Sequence, residues 1–442
     1  LALGAAGQYT EFFDAQQAIV KAYELELKEQ LDEAYDLYAS IPENDTNHPI
    51  ALMQQISIRN RQERFTEMLE LVDQGIELRD KYLSDFYIEK GVALISLERY
   101  EDAIAFYTEA MKEFPQNHVL LYNTALCYKL REDYPRFLVE MKKVVAMYPY
   151  YGNAHLELGT FAYREGKIAQ SLMAYLMYLL VEPTGEKSNE LLAVLNNVVT
   201  RKIESEPTGT KLSPKGDDFS DIDLIISNYA ALQKGYKLKT KADLPLIRQV
   251  QVMLETLEYD PEDEGFWMQQ YAKLYKKIWD ENMFEGFSYF LIASSEVPKH
   301  KSLVSRKKAS MDRFVTWSAD LVNEQYHFVD REVDGRTERV QRWFYTGEDQ
   351  GLLAIGNYEA SGQVGCWETY HTSGALSSKG CYDAQGVGYG KWQHFDEIGR
   401  LQRQYTLKDN KFDGLFQVFD IRGNVDKEAD YKAGKLDGEY RE

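Results

Sequence analysis

Seven histidines, three cysteines and one acidic run are the groups in this chain best able to do chemistry, and their spacing argues against most of it. His48, His118, His155, His300, His327, His371 and His394 are scattered, and no two stand four apart on a helix face. The zinc-protease pair His-Glu-x-x-His, the lysine-bearing phosphate loop, the Gly-x-Ser-x-Gly elbow and Cys-x-x-Cys are all missing. Gly386-Val-Gly-Tyr-Gly390 has the glycines of a phosphate loop but no strand leading into a helix, so it reads as a hairpin turn. Asp217, Asp218, Asp221 and Asp223 are the hard oxygen ligands calcium takes. The EF-hand spacing with its central glycine is absent, so a solvated loop capping the next helix is expected instead. The chain reads as a non-enzyme, with no catalytic, cofactor or metal site.

That leaves binding. A net charge of −20 over 442 residues argues against a general nucleic-acid binder, which needs a basic face. Three cysteines exclude a disulfide-dense miniprotein. No apolar run reaches the roughly 18 residues of a membrane span. Leu1–Gly7 reads as the tail of a signal peptide, with Ala5 and Gly7 as the small residues before cleavage and Gln8 as the mature start. Lys299–Lys308 is the only strongly basic run; a solvated helix start is the default, and peripheral contact with lipid headgroups is the alternative.

The elements that would position a binding surface come from two periods. Pro115, Pro149 and Pro183 stand 34 residues apart. Ahead of Pro115 lie Tyr87, Gly91, Leu94, Ala103, Tyr107 and Ala110, and the pattern recurs ahead of the other two prolines. Small residues suit the close approach of two helices, the bulky one fills space between pairs, and proline stops the second helix. This unit resembles the tetratricopeptide (TPR) repeat. About five units are expected from 15 to 185, within a helical domain spanning 8–203.

The resemblance implies a groove lined by the first helix of each pair. Its wall would hold Ile88, Val92, Tyr122, Leu126, Lys129, Leu156, Thr160, Tyr163 and Arg164. Relatives that clamp a peptide carboxylate use Lys and Asn at such positions. Ile88 and Val92 stand there instead, so the wall suits an extended segment or helix of a protein partner. Residues 204–220 read as a linker loop. Apolar stripes such as Leu246, Val250, Met253 and Leu257 make 221–326 helical, as degenerate repeats or capping helices.

In the last third, 327–442, helical stripes vanish. Gly365, Gly390, Gly414 and Gly438 recur every 24 or 25 residues, each followed two places later by Trp367, Trp392, Phe416 or Tyr440. Gly374, Gly399 and Gly423 recur in step. The unit resembles the MORN repeat of bacterial proteins, a β-hairpin repeat, and its glycines are expected in the tight turns. Four to five hairpins would stack into one sheet. With the turn centred on Ser373-Gly374, Cys366 faces Cys381, close enough for a disulfide, and Cys127 is left as a free buried thiol.

The fold class is therefore α + β multidomain: a TPR-like α-solenoid followed by an antiparallel β-hairpin (MORN) repeat sheet. Its function reads as a protein–protein scaffold, an accessory subunit of a bacterial envelope assembly or secretion complex. Export to the periplasm is expected, with association at the outer membrane as an option. The alternative is a cytoplasmic, antitoxin-like regulatory binder.

Overall fold

A computed structural model describes residues 14–200, 207–213, 215–333, 336–345 and 351–441. The proposed leader Leu1–Gly7 lies outside them. Among the described residues ten helices come first: α1 (Ala15–Glu26), α2 (Leu31–Ala39), α3 (His48–Arg61), α4 (Phe65–Leu78), α5 (Leu83–Ser96), α6 (Tyr100–Glu113), α7 (His118–Leu130), α8 (Tyr134–Met147), α9 (Gly152–Arg164) and α10 (Ile168–Val181). They pair as five antiparallel hairpins, stacked in order. Each hairpin turns at one residue in the left-handed region: Glu29, Glu63, Glu98, Glu132 and Gly166, with φ between 57° and 73°. Small residues let the helices meet. Gly91 lies under the fully buried ring of Tyr107, where any β-carbon would collide.

Seven further α-helices follow α10 among the described residues. They are α11 (Glu186–Val198), α12 (Ser220–Ser227), α13 (Pro245–Thr256), α14 (Lys273–Asp280), α15 (Phe284–Leu291), α16 (Pro298–Arg306) and α17 (Lys308–Tyr326). α10 is apolar on every side (Ile168, Leu172, Met173, Leu176, Met177, Leu179), as a helix covered all round must be. One core joins α8–α10 to α12–α17. Tyr275 donates to the Met173 carbonyl at 2.7 Å inside it, and the Tyr271 hydroxyl lies 2.7 Å from His155 Nδ1. These helices therefore share one core with the last hairpins of the array.

The described part of the stretch read as a linker, 207–213 and 215–220, is strapped down. Glu165 accepts from the Thr208 and Gly209 amides, each at 3.0 Å, and Lys142 donates to the Leu212 carbonyl. Three of the four aspartates divide the work of capping. Asp217 accepts from the Trp267 and Met268 amides at 3.0 and 2.6 Å, so it caps a helix fifty residues downstream. Asp218 accepts from Ser220 N at the start of α12. Asp223 accepts from Ala169 N at the start of α10. Among the described residues no cluster of His, Cys, Asp and Glu could hold a metal ion.

Ten strands form one antiparallel meander in sequence order: β1 (Phe328–Val333), β2 (Arg336–Phe344), β3 (Leu352–Glu359), β4 (Gly362–Tyr370), β5 (Leu376–Tyr382), β6 (Gly388–Phe395), β7 (Leu401–Lys408), β8 (Lys411–Phe419), β9 (Val425–Lys432) and β10 (Lys435–Arg441). The two glycine series do different jobs, which corrects the expectation that both sit in turns. Gly374, Gly399 and Gly423 are in turns. Gly365, Gly390, Gly414 and Gly438 stand inside strands with positive φ, where the register slips. The slip is a bulge that bends the strand, and glycine is the residue that tolerates its left-handed backbone. Cys366 and Cys381 are paired across β4 and β5 and joined by a disulfide, and Cys127 is free and buried.

Candidate functional site

The first helices of the third, fourth and fifth hairpins, α5, α7 and α9, carry the residues expected to line a groove. Ile88 and Val92, Tyr122 and Leu126, and Leu156 and Thr160 each stand four residues apart, so each pair shares one helix face. Ile88, Val92, Tyr122, Leu126, Lys129, Leu156, Tyr163 and Arg164 are half-buried, and Thr160 is exposed. Their stems pack on the cores beneath while one edge of the wall stays open. The Tyr122 ring meets Tyr151 edge-on at 5.2 Å, and burial together with nearby Glu157 pushes its hydroxyl pKa up.

The wall's cations are already engaged. Lys129 pairs with Glu157 across α7 and α9. Arg164 donates to the Tyr134 hydroxyl at 3.1 Å and lies over that ring. Glu89 makes no ion pair among the described residues, and burial and then Asp85 hold its carboxyl above the usual range. Among the described wall residues, neither Lys129 nor Arg164 is left to clamp a peptide carboxylate. An uncharged, aromatic-rich segment would find apolar area ready for it.

One boundary of this region belongs to the sheet. The β4–β5 turn docks on the loop between α6 and α7. Gln116 N donates to Gly374 O at 3.1 Å, and Asn117 Nδ2 donates to Ser373 O at 2.8 Å. Ala375 and Ile398 complete the core under Phe114. A cleft of about 200 Å³ remains beside Ile88, lined by Lys81, Asp85, Asn117, His118, Thr372 and Ser373. The C-terminal end of α8 is gripped by buried Arg342. Its guanidinium donates to the Ala146 and Met147 carbonyls at 3.1 Å each and to the Tyr326 carbonyl at 2.6 Å. Burial pulls its pKa down to about 10, with Tyr148 and Tyr150 acting the other way.

Sequence reasoning missed this junction. Its available signals were Ile398, an apolar residue in a glycine turn, and Arg342 amid the strand residues Val340 and Phe344. The basic run is largely neutralised: Lys301, Lys307 and Lys308 pair with Glu296, Glu285 and Asp312. No helix among the described residues is long and apolar enough to cross a membrane.

No family model matches the chain. Over 134 residues, 30% of its length, it is 27% identical to the small glutamine-rich tetratricopeptide repeat-containing protein 2 of Saccharomyces cerevisiae, and the match spans 38% of that relative. Among solved structures it is similar to TTC0263, a TPR protein of Thermus thermophilus, at 16% identity and TM-score 0.36, covering 42% of this chain and 100% of that one. PilW, a type IV pilus biogenesis factor, is similar at 14% identity and TM-score 0.35, covering 42% and 84%. With five stacked helical hairpins and that sequence relative, the N-terminal region is a TPR-like solenoid, an architecture of interaction scaffolds.

Proposed function

We propose that this chain is a non-enzymatic scaffold, an accessory subunit that holds partner proteins in a bacterial envelope assembly or secretion complex on the periplasmic side. The half-exposed wall of Tyr122, Leu126, Leu156 and Tyr163 carries the reading, because its cations are spent internally and its apolar edges are not. The Cys366–Cys381 bond supports an oxidising compartment, where such bonds persist. The hairpin sheet, read as MORN-type, is the second working face, and 221–326 is the body that joins the two. The test is affinity capture from the native cell with wild-type protein and with Tyr122→Ala/Tyr163→Ala. The main partner should be lost from the double variant while circular dichroism stays unchanged. Equal capture would overturn the groove assignment. Recovery of both cysteines as thiols from native protein would favour the cytoplasmic regulatory reading.

A further inference from the structure

Strands β5–β9 keep two unlike faces. Register puts Trp392, Tyr405 and Phe416 on one face of β6, β7 and β8, each opposite the next. The Trp392 indole lies flat on Gly380, where a β-carbon would meet its ring-fusion atoms Cδ2 and Cε2 at 2.2 and 2.3 Å. The Tyr405 ring lies within 5° of the Trp392 plane and the Phe416 ring within 13° of Tyr405, with centroids 6.5 and 6.0 Å apart. Three strands therefore carry one level aromatic floor, and its rings are only partly covered. Tyr382 and Phe412 stand nearly upright along one side, at 80° to Trp392 and 78° to Tyr405. The opposite border holds His394, Arg403 and Lys427 in one register row.

Charge is sorted between the faces as well. The carboxylates of these strands, Asp413, Asp426, Glu428 and Asp430, alternate onto the other face, where Glu428 pairs with Gln417 and Asp430 with Leu415. On that face Gln393, Gln404, Gln417 and Glu428 bond to one another strand by strand. The aromatic face is thus cationic within a chain of net charge −20. Level rings with electron-rich faces suit two flat partners, the C–H side of a sugar ring and a nucleobase. A nucleic acid draws its affinity from many phosphate contacts, which this short border in an acidic chain does not supply. A sugar chain with carboxylates uses the floor for its rings and the border for its charge. We propose that this face binds an acidic polysaccharide, its sugar rings laid on Trp392, Tyr405 and Phe416 and its carboxylates turned toward Arg403 and Lys427. The site concerns the sheet alone and does not depend on what the groove binds.

The probes are a short oligogalacturonate, a neutral galactose oligomer of equal length and a single-stranded oligothymidylate. Calorimetry on the whole chain should show the acidic sugar binding at least about tenfold more tightly than the neutral one, with affinity falling as salt rises. Arg403→Gln changes one exposed side chain and should shrink that preference at least about threefold. Tyr405→Leu/Phe416→Leu keeps every charge and should lose at least about tenfold in acidic-sugar affinity with unchanged circular dichroism. Wild-type affinity in either variant would overturn the proposal, and so would no binding of the acidic sugar up to the millimolar range. Tighter binding of the oligothymidylate would overturn it in favour of nucleic acid. A wild-type dimer in sedimentation that Tyr405→Leu/Phe416→Leu abolishes would overturn it in favour of a second copy.

Discussion

Tyr107 lies over Gly91 with no exposed surface, whereas Trp392 lies over Gly380 only partly covered. The contact is the same, an aromatic ring against a glycine Cα, but its surroundings differ. In the solenoid, helices enclose the ring on all sides and the Tyr107 hydroxyl is tied to the Ile88 carbonyl at 3.1 Å. In the single-layer sheet the ring has neighbours along the layer, Tyr382 at 5.1 Å and Tyr405 at 6.5 Å, and an open side. The solenoid is held by a packed interior. The sheet is held by register, a covalent bond and the junction with the helices.

That difference can be broken at its strongest point first. Gly91→Val should destabilise the solenoid by more than about 3 kcal/mol, because an enclosed ring has nowhere to go. Gly380→Val should cost about 1 kcal/mol, since Trp392 can swing outward. Denaturant titration of both variants decides it, and equal losses would remove the distinction.

The junction comes next. Arg342→Ala strands three carbonyls and should cost about 3 kcal/mol. Hydrogen exchange should then open the Gln116–Asn117 loop and the β4–β5 turn together; a change confined to β2 would show that the two regions are not coupled. Removing the disulfide by Cys366→Ser/Cys381→Ser relaxes a crosslink spanning 15 residues, worth about 2–3 kcal/mol. The loss should appear as earlier melting of the sheet with the helical signal unmoved.

The solenoid has its own sensitivity to acid. His155 is fully buried, and burial pulls its pKa down to about 4, with the bond to the Pro149 carbonyl opposing. The unfolded chain therefore binds a proton first, near the ordinary histidine value of about 6.5. Stability is whole above that pH and falls as pH drops toward 4, by about 2 kcal/mol at pH near 5. Asp223, raised to about 6 by burial, works in the opposite sense, so the measurement compares wild type with His155→Gln. A slope that survives the substitution belongs to another group.

The smallest effect has the opposite sign. Glu98 turns its hairpin at φ 58°, where Gly166 serves in the fifth. Glu98→Gly should stabilise by up to about 1 kcal/mol by relieving left-handed strain. A loss in thermal melting would mean that the side chain contributes more than its strain costs.

The repeats were legible in the sequence because each is a local object. A 34-residue period places Gly91 against Tyr107 sixteen residues away, and a 24-residue period sets strand against neighbouring strand. Cys366 could be matched to Cys381 because a hairpin register is fixed by its own turn. That the proposed wall residues lie on the first helices of their hairpins followed from repeat position alone. The bulge role of Gly365 and its equivalents was hidden, since a glycine in a turn and a glycine in a bulge share the same backbone requirement. Only the tertiary structure decided that Arg342 grips the end of α8, that Asn117 holds the turn at Ser373, that Asp217 caps a distant helix and that α12–α17 cover α10. Many of those contacts join residues about 50 to 256 positions apart. No period spans them, and each is set by which surfaces remain uncovered once the local units have formed.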